Sequence, residues 1–216
     1  MPKQDVDVLI IGAGLSGIGM ACHLARQLPN RRIMLLERRD AIGGTWDLFR
    51  YPGVRSDSDM FTMGYDFQPW MRPEILAEGS VIRDYISRTA KQYGVDQHIH
   101  FGLKVTAADW SSSRSQWTVT ALNETTGDIA SYRCHFLISC AGYYNYDAGY
   151  SPEFPGIESF KGMCIHPQFW PESLNYRDKK VVVIGSGATA ATIVPAMAQD
   201  VAQITLLQRS PSYYLS

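Results

Sequence analysis

Three glycines and a glutamate near the start of the chain have the types and spacing needed to bind a charged ligand. Gly12, Gly14 and Gly17 form a GxGxxG pattern after an apolar run, and Glu37 ends the next apolar run. Glycine lets the backbone turn tightly and approach a pyrophosphate, and a carboxylate accepts hydrogen bonds from ribose hydroxyls. The pattern predicts an adenine dinucleotide site, and a glycine-rich turn without a ligand is the alternative.

A second glycine motif near the end of the chain has a different ending. Arg209 and Ser210 follow its second apolar run, where no carboxylate is present. An arginine pairs with a 2′-phosphate and a serine hydroxyl can donate to it, whereas a carboxylate would repel it. The residues predict FAD or NAD at the first motif and NADPH at the second, and a solvated strand-end arginine is the alternative for Arg209. The second motif comprises Gly185, Ser186, Gly187, Ala188, Thr189 and Ala190.

Two dinucleotides on one chain favour hydride transfer between them. NADPH reducing a flavin is the commonest such arrangement, and it identifies the first ligand as FAD rather than NAD.

A single histidine stands in the aromatic stretch FKGMCIHPQFWP, residues 160–171. His166 has no cysteine, aspartate or second histidine nearby that would complete a metal site. His98 and His100 form a looser HxH candidate, and we predict no metal. A purely structural histidine remains an alternative for His166.

Composition limits the classes of partner. The 216 residues carry a formal net charge of −1, which gives no reason to expect nucleic acid or an acidic membrane surface. The four cysteines form no CxxC pair, so we expect buried free thiols in a reducing compartment. The apolar stretches 8–25 and 181–199 are interrupted by glycine-rich turns. A cytoplasmic protein without stable membrane insertion is therefore expected.

Apolar periodicity predicts two strand–turn–helix–strand units. The first comprises a strand at 6–11, a helix at 15–28 and a strand at 32–37, and the second spans 180–209. Such units pair their strands in parallel, with helices covering the sheet. The predicted fold is α/β, with two Rossmann-like dinucleotide-binding units of which the second is incomplete. Pro195 predicts a kink or an irregular turn in the second helix.

The middle of the chain predicts an insertion in the first unit. A loop-like region at 40–68 precedes a helix at 80–93, with Ser80 as its N-cap. Strands at 103–110, 116–122 and 128–134 predict a small antiparallel sheet, and 135–142 a return to the parallel sheet. The expected domains are 1–145, with the insertion at about 101–134, a linker at 146–177 and the start of a second domain at 178–216.

Two fingerprints in the sequence resemble those of the class B flavoprotein monooxygenases. The stretch from Phe160 to Pro171 matches FxGxxxHxxxWP, which is typical of the Baeyer–Villiger branch. A second fingerprint, GGTWDLFRYPGVRSD, includes Gly44, Trp46 and Asp57. The resemblance runs from about residue 6 to the end of the chain and implies the N-terminal portion of a longer enzyme.

The resemblance implies a set of cofactor contacts. His166 and its aromatic neighbours would form a linker that couples the NADP position to flavin chemistry. Asp57 would lie near the flavin and orient a catalytic arginine outside this chain, and a loop or helix cap is its alternative role. The implied FAD contacts are Ser16, Glu37, Thr45, Trp46, Asp47, Leu48, Asp57 and Val105. The implied NADP contacts are Arg55, Ser56, Asp57, residues 185–190, Arg209 and Ser210.

The implied activity uses FAD, NADPH and O₂ to insert one oxygen atom beside a ketone carbonyl, giving an ester or lactone. Oxygenation of a soft sulfur, as in a thioether-like substrate, is also compatible. The alternatives are a non-catalytic FAD-binding fragment and a flavin-containing monooxygenase acting on nitrogen or sulfur. An incomplete second unit would expose apolar surface, and self-association through it is expected.

Overall fold

The computed structural model describes residues 4–213 and divides them into two compact units. The first unit contains residues up to 47 together with 80–144. The second contains 48–79 together with the residues from 145 onward. Residues 48–79 therefore pack with the second unit, although the sequence groups them with the first. The boundaries at 145 and 177 stay predictions.

The first unit is built on one six-stranded sheet. Its strand order is β3-β2-β1-β6-β5-β4, in which β3, β2, β1 and β6 pair in parallel and β6, β5 and β4 pair antiparallel. The α/β class is confirmed. The strands are β1 (Gln4–Ile11), β2 (Ile33–Leu36), β3 (Ile99–His100), β4 (Leu103–Ser111), β5 (Gln116–Asn123) and β6 (Ile129–Ser139).

The central strands owe their composition to burial on both faces. Leu9, Ile10 and Leu35 are fully buried, which is why residues 8–11 of β1 and the whole of β2 read as continuous apolar runs rather than as an alternating pattern. Helix α1 (Leu15–Gln27) connects β1 to β2. This β–α–β connection brings the first glycine motif and Glu37 to the same end of the sheet.

One strand replaces the two that the sequence predicts between 128 and 142. β6 runs without a break from Ile129 to Ser139, and Cys134 lies within it. Its first part pairs with β5 and its later part pairs with β1, so the antiparallel strands extend the parallel sheet instead of forming a separate one. No glycine or proline interrupts this stretch, which leaves the chain free to continue as one strand.

Three short or shifted helices also differ from expectation. Helix α4 spans Gly79–Gln92, so Ser80 lies inside it and is not its N-cap. Its end is a Schellman motif, in which Gly94 at φ 66° donates to Lys91 O and Val95 donates to Ala90 O. The region expected to be a loop contains two single-turn helices, α2 (Thr45–Leu48) and α3 (Met60–Met63).

Besides α3, the second unit contains a two-stranded parallel sheet and a longer helix among its described residues. They are β7 (Lys180–Ile184), α5 (Ala188–Met197) and β8 (Gln203–Leu207), and α5 continues through Pro195. A core cluster buries Phe49 and Tyr51 with Ile193 and Met197. Residues 48–79 thus belong with this unit because their aromatic side chains pack on α5.

No helix within residues 4–213 has the length and apolar character needed to cross a membrane.

Candidate functional site

The first glycine motif forms a tight turn that other side chains could not adopt. Gly12 has φ 99°, and a Cβ on it would lie 2.6 Å from the carbonyl oxygen of Cys140. A Cβ on Gly17 would overlap the carbonyl oxygen of Gly12. The two glycines therefore let α1 start directly beside β1 and β6.

Gly14 leaves a narrow space through which a ligand could approach the backbone at the start of α1. It is the N-cap of α1, and a Cβ placed on it would lie 3.4 Å from the Cα of Gly44. The first intrahelical bond joins Ile18 N–H to Gly14 O, and the first turn contains no acidic residue. Helix N-termini leave N–H groups outside the intrahelical pattern and carry partial positive charge, so this end of α1 suits a pyrophosphate. Ser16, in this turn, is exposed.

Glu37 is held at the end of β2 by two backbone donors. Its side chain is buried, with one carboxylate oxygen accepting from Ala13 N–H at 2.7 Å and the other from Arg39 N–H at 2.8 Å. Each carboxylate oxygen has a second lone pair, so the group retains capacity for ribose hydroxyls. The structure thus brings Glu37 to the first glycine motif, and its contact with a ribose stays a prediction.

A second glycine pair closes the other side of this turn. Gly43 has φ 134°, Gly44 has φ 55°, and Gly43 N–H donates to Ala13 O at 3.1 Å. Helix α2 follows at once and carries Thr45, Trp46, Asp47 and Leu48. Asp47 and Leu48 are buried, whereas Thr45 and Trp46 are half-buried. The residues of the GGTWDL fingerprint in the first unit therefore lie beside the motif that was expected to hold FAD.

Two arginines that the sequence did not single out hold Asp47. Arg39 Nη2 lies 2.7 Å from Asp47 Oδ2, and Arg83 Nη1 lies 3.7 Å from Asp47 Oδ1. Arg39 follows Glu37 by two positions, and that proximity to the predicted site was the available signal. Arg83 is distant in sequence, so only the packing of α4 reveals it.

Val105 is half-buried on β4, directly before a register shift in its pairing with β5. It packs against the core cluster that contains Leu9 and Leu36.

The second glycine motif repeats the local geometry of the first with more open surroundings. Gly185 has φ 118° and its N–H donates to Leu207 O at 2.9 Å, as Gly12 N–H donates to Leu36 O at 2.8 Å. Gly187 is the N-cap of α5. A Cβ on either Gly185 or Gly187 would meet no described atom within 4 Å.

The ends of the two second strands can be aligned residue by residue. Ile11 is paired with Leu36, and Ile184 is paired with Leu207. The position that Glu37 occupies after β2 is therefore filled by Gln208 after β8. Arg209 and Ser210 come next, and both are exposed.

The rest of the second motif is only partly accessible. Ser186 accepts a hydrogen bond from Ser212 Oγ at 2.7 Å, Ala188 is exposed, Thr189 is half-buried and Ala190 is buried.

The Arg55–Asp57 stretch presents two exposed side chains around a buried one. Arg55 and Asp57 are exposed, and Ser56 is buried with its hydroxyl oxygen accepting from Ala77 N–H at 3.0 Å. Asp59, not Asp57, is the N-cap of α3 and accepts from Thr62 N–H at 2.8 Å. Asp57 is therefore left available to a ligand, and that role stays a prediction.

His166 has a defined setting within the second unit. Its Nδ1 accepts from Gln168 N–H at 3.2 Å, and Gln168 Nε2 donates to Asn145 O at 2.6 Å. A neutral ring that accepts at Nδ1 carries its hydrogen on Nε2. Gly149 lies against the ring, since a Cβ there would overlap three of its atoms. Among residues 4–213, no three potential ligands of the His, Cys, Asp or Glu type cluster as a metal site.

Comparison with known proteins identifies the family. The family described as FMO-like, flavin-binding monooxygenase-like, matches residues 5–216. This chain belongs to that family.

Members with assigned names are similar along the whole chain. MymA of Mycobacterium tuberculosis, named as an FAD-containing monooxygenase, is 62% identical over 99% of this chain. EthA of the same species, named as an FAD-containing monooxygenase, is 52% identical over 99% of it. The alignments cover 44% and 43% of those relatives, so the chain spans less than half of their length.

Solved structures with bound dinucleotides have the same fold over the part that this chain covers. Cyclohexanone monooxygenase from Rhodococcus sp. Phi1, solved with NADP⁺, matches 99% of this chain and 40% of its own, with a TM-score of 0.81 and 29% identity. The enzyme OTEMO, solved with FAD and NADP, matches 96% of this chain and 39% of its own, with a TM-score of 0.80 and 33% identity. This flavin-binding monooxygenase-like chain therefore shares the fold of structures with dinucleotides bound.

Proposed function

We propose that this chain is the cofactor-binding part of an FAD- and NADPH-dependent monooxygenase of the Baeyer–Villiger type. FAD would bind at the first glycine motif and NADPH at the second. The reaction would insert one oxygen atom of O₂ beside a ketone carbonyl, and a thioether-like sulfur would be an additional acceptor rather than a replacement for the ketone.

The main support for this proposal is that the residues after β2 and after β8 differ in charge although the two strand ends are equivalent. Glu37 stands beside the first motif, and Gln208 followed by Arg209 stands beside the second. A carboxylate favours free ribose hydroxyls, and a guanidinium favours a 2′-phosphate. This polarity supports electron flow from a phosphorylated nicotinamide to a flavin.

Each predicted site residue has a separate role in this proposal. The first turn of α1 would bind the FAD pyrophosphate, and Glu37 would orient the adenosine ribose. Arg209 and Ser210 would bind the 2′-phosphate of NADPH. The bound flavin supplies the redox and oxygen chemistry. Asp57 would orient a cationic residue, and His166 would couple the nicotinamide nucleotide to the flavin.

A second candidate is a non-catalytic FAD-binding fragment. The chain covers 44% of MymA and 40% of the Rhodococcus enzyme. A third is oxygenation of nitrogen or sulfur, which the family description also allows. A cytoplasmic location, with O₂ and a small molecule as the only partners apart from self-association, completes the proposal.

Spectroscopy and product analysis separate these candidates. The purified protein is reconstituted with FAD, its visible spectrum recorded, and NADPH oxidation followed with a cyclic ketone or a thioether. Yellow protein that consumes NADPH and forms ester or lactone supports the proposal. Yellow but NADPH-inert protein supports the fragment, sulfoxide without ester supports the third candidate, and colourless protein contradicts FAD binding.

A further inference from the structure

We propose that Arg39 is a positioning residue for the flavin dinucleotide, which acts by holding Asp47 and thereby fixes the Gly43–Gly44 turn against the first glycine motif. The inference rests on FAD binding at that motif. Arg39 itself is assigned no ligand contact.

The first observation is the depth and geometry of the ion pair. The Asp47 side chain is 5% exposed, while that of Arg39 is 30% exposed. Arg39 donates from Nε at 3.1 Å and from Nη2 at 2.7 Å to the same oxygen, Oδ2, and from Nη2 to the backbone oxygen of Asp47 at 3.2 Å. A planar guanidinium can make these three bonds together, and a lysine ammonium cannot reproduce the arrangement.

The second observation is that Arg39 connects the first glycine motif to helix α2. Its backbone N–H donates to Glu37 Oε1 at 2.8 Å, and its side chain holds Asp47 on α2. Glu37 also accepts from Ala13 N–H within the first glycine motif. A continuous path of hydrogen bonds therefore leads from that motif through Glu37 and Arg39 to α2.

The third observation is how little space separates the two glycine turns. Gly43 N–H donates to Ala13 O, and a Cβ on Gly14 would lie 3.4 Å from Gly44 Cα. A Cβ on Gly43 would lie 2.8 Å from Arg83 Cγ and 3.1 Å from Asp47 Cβ. A small displacement of α2 would therefore change the width of the passage beside Gly14.

Removing Arg39 would take two hydrogen bonds from the buried carboxylate of Asp47, from which Arg83 lies 3.7 Å away. Loss of charge-assisted hydrogen bonds from a buried carboxylate is unfavourable, so Asp47 would move toward solvent and carry the Gly43–Gly44 turn with it.

The chain offers a matched control in the neighbouring arginine. Arg38 also makes a two-pronged ion pair, at 2.6 Å and 3.0 Å, but its partner Glu124 is 42% exposed. Arg38→Met removes the same charge one residue away and leaves Asp47 untouched.

The test measures FAD dissociation constants of the 216-residue protein, stripped of flavin, by flavin fluorescence, together with ligand-free unfolding temperatures. We expect Arg39→Met to weaken FAD binding about tenfold or more, Arg38→Met to change it less than about twofold, and Arg39→Lys to recover part of the loss. In an Asp47→Asn background, Arg39→Met should cost less affinity than in the unaltered protein, since no buried charge remains to be held.

Each other outcome is decisive. Equal losses in the Arg38 and Arg39 variants, or an Arg39→Lys variant that binds FAD as poorly as Arg39→Met while unfolding at the unaltered temperature, would overturn the positioning role alone. If Arg39→Met fails to fold, the FAD affinities of Arg39→Lys and Arg38→Met are compared instead. An Arg39→Lys variant that binds FAD as tightly as the unaltered protein would contradict the need for the guanidinium. An unaltered protein that binds no FAD would overturn the proposed function and this inference together.

Discussion

At the scale of single residues, the first motif requires glycine because neighbouring backbone atoms leave no room for a side chain, not because the chain must be flexible there. Gly17 lies where any side chain would run into the carbonyl oxygen of Gly12. The corresponding position in the second motif is occupied by Ala190, whose Cβ fits although the residue is buried. The third position of the pattern is thus set by how closely each helix approaches its strand.

Gly17→Ala is expected to destabilise the protein by about 3 kcal/mol or more, because the added methyl group forces α1 away from β1. Gly187→Ala provides the comparison, since its Cβ meets no described atom within 4 Å. Only the N-cap preference is lost there, at a cost of about 1 kcal/mol or less. Denaturant unfolding of both variants measures the difference, and equal stabilities would contradict the packing described for Gly17.

The cysteines differ in their surroundings, which the sequence resolved only in part. Cys22 and Cys134 are buried, Cys140 is half-buried, and Cys164 is exposed in the aromatic stretch, contrary to the expectation of buried thiols. Burial raises the pKa of both Cys22 and Cys134 from 9.0 to about 11. Desolvation is the main cause, because it penalises the thiolate.

We expect Cys164 to react with a thiol reagent at pH 8 within the time in which Cys22 and Cys134 stay protected. Because the two folded-state pKa values are raised, their contribution to stability is complete below pH 9 and is lost as the pH rises toward 11. Mass spectrometry of labelled protein and urea unfolding at pH 8 and 10.5 measure both effects. A Cys22→Ala, Cys134→Ala double variant should show a smaller loss of stability on going to pH 10.5, and the same loss would contradict this assignment.

At the scale of elements, the β–α–β unit and the antiparallel strands β4 and β5 were predictable, and the continuity of β6 was not. Buried runs such as VDVLII and IMLL leave a local signal, and so does the helical spacing of α1. The continuity of β6 depends on two different neighbours, β5 and β1, which no local pattern reveals. Residues 48–79 join the second unit through Phe49 and Tyr51, again by contacts that are distant in sequence.

The fingerprint around His166 acquires a structural reason at the same scale. Gly162 lets the Phe160 ring lie over its Cα, and Gly149 does the same for the His166 ring. The motif therefore depends on a glycine outside it, in the preceding GYYNYDAGY segment. The fingerprint alone gives no signal for that contact.

Gly149→Ala is expected to displace the His166 imidazole and break its bond with Gln168 N–H, because the new Cβ would occupy the position of the ring. NMR of the His166 ring protons and nitrogens measures this, with Ala148→Ser as a control at an exposed neighbouring position. Unchanged His166 resonances in the Gly149 variant would show that the ring does not lie against Gly149.

At the scale of the whole molecule, the second unit leaves an apolar sheet face exposed. Val182 is 61% exposed, Ile184 55% and Leu207 54%, whereas Val181, Val183 and Ile204 pack on the cluster around Ile193. Alternation along β7 explains the two faces. Exposed apolar surface of this kind favours association.

Ile184→Lys is therefore expected to reduce self-association of the chain, since it places a charge in the exposed face without touching the packed one. Sedimentation velocity over a concentration series measures the effect, with Lys180→Arg as the control on the same strand. A monomeric unaltered protein, or an Ile184→Lys variant that associates as before, would contradict this role of the β7–β8 face.

The sequence predicts site residues where a motif carries its own ending, as with Glu37 and Arg209, and their ligand contacts stay predictions. It does not predict the partner that a motif residue needs from elsewhere, as Asp47 needs Arg39 and Arg83. Ser56 illustrates the limit, because its place in a fingerprint gave no sign that its hydroxyl accepts from Ala77 N–H. Packing supplies such partners, and packing is decided by the whole chain.

The nucleotide preference of the second motif tests most directly whether the two motifs bind the two different dinucleotides. NADPH and NADH are titrated by calorimetry into the FAD-reconstituted protein, with Arg209→Glu beside the unaltered chain. We expect the unaltered protein to prefer NADPH and the variant to lose or reverse that preference while its FAD affinity stays the same. An NADPH preference that survives the exchange of guanidinium for carboxylate would contradict the assignment of the two dinucleotides to the two motifs.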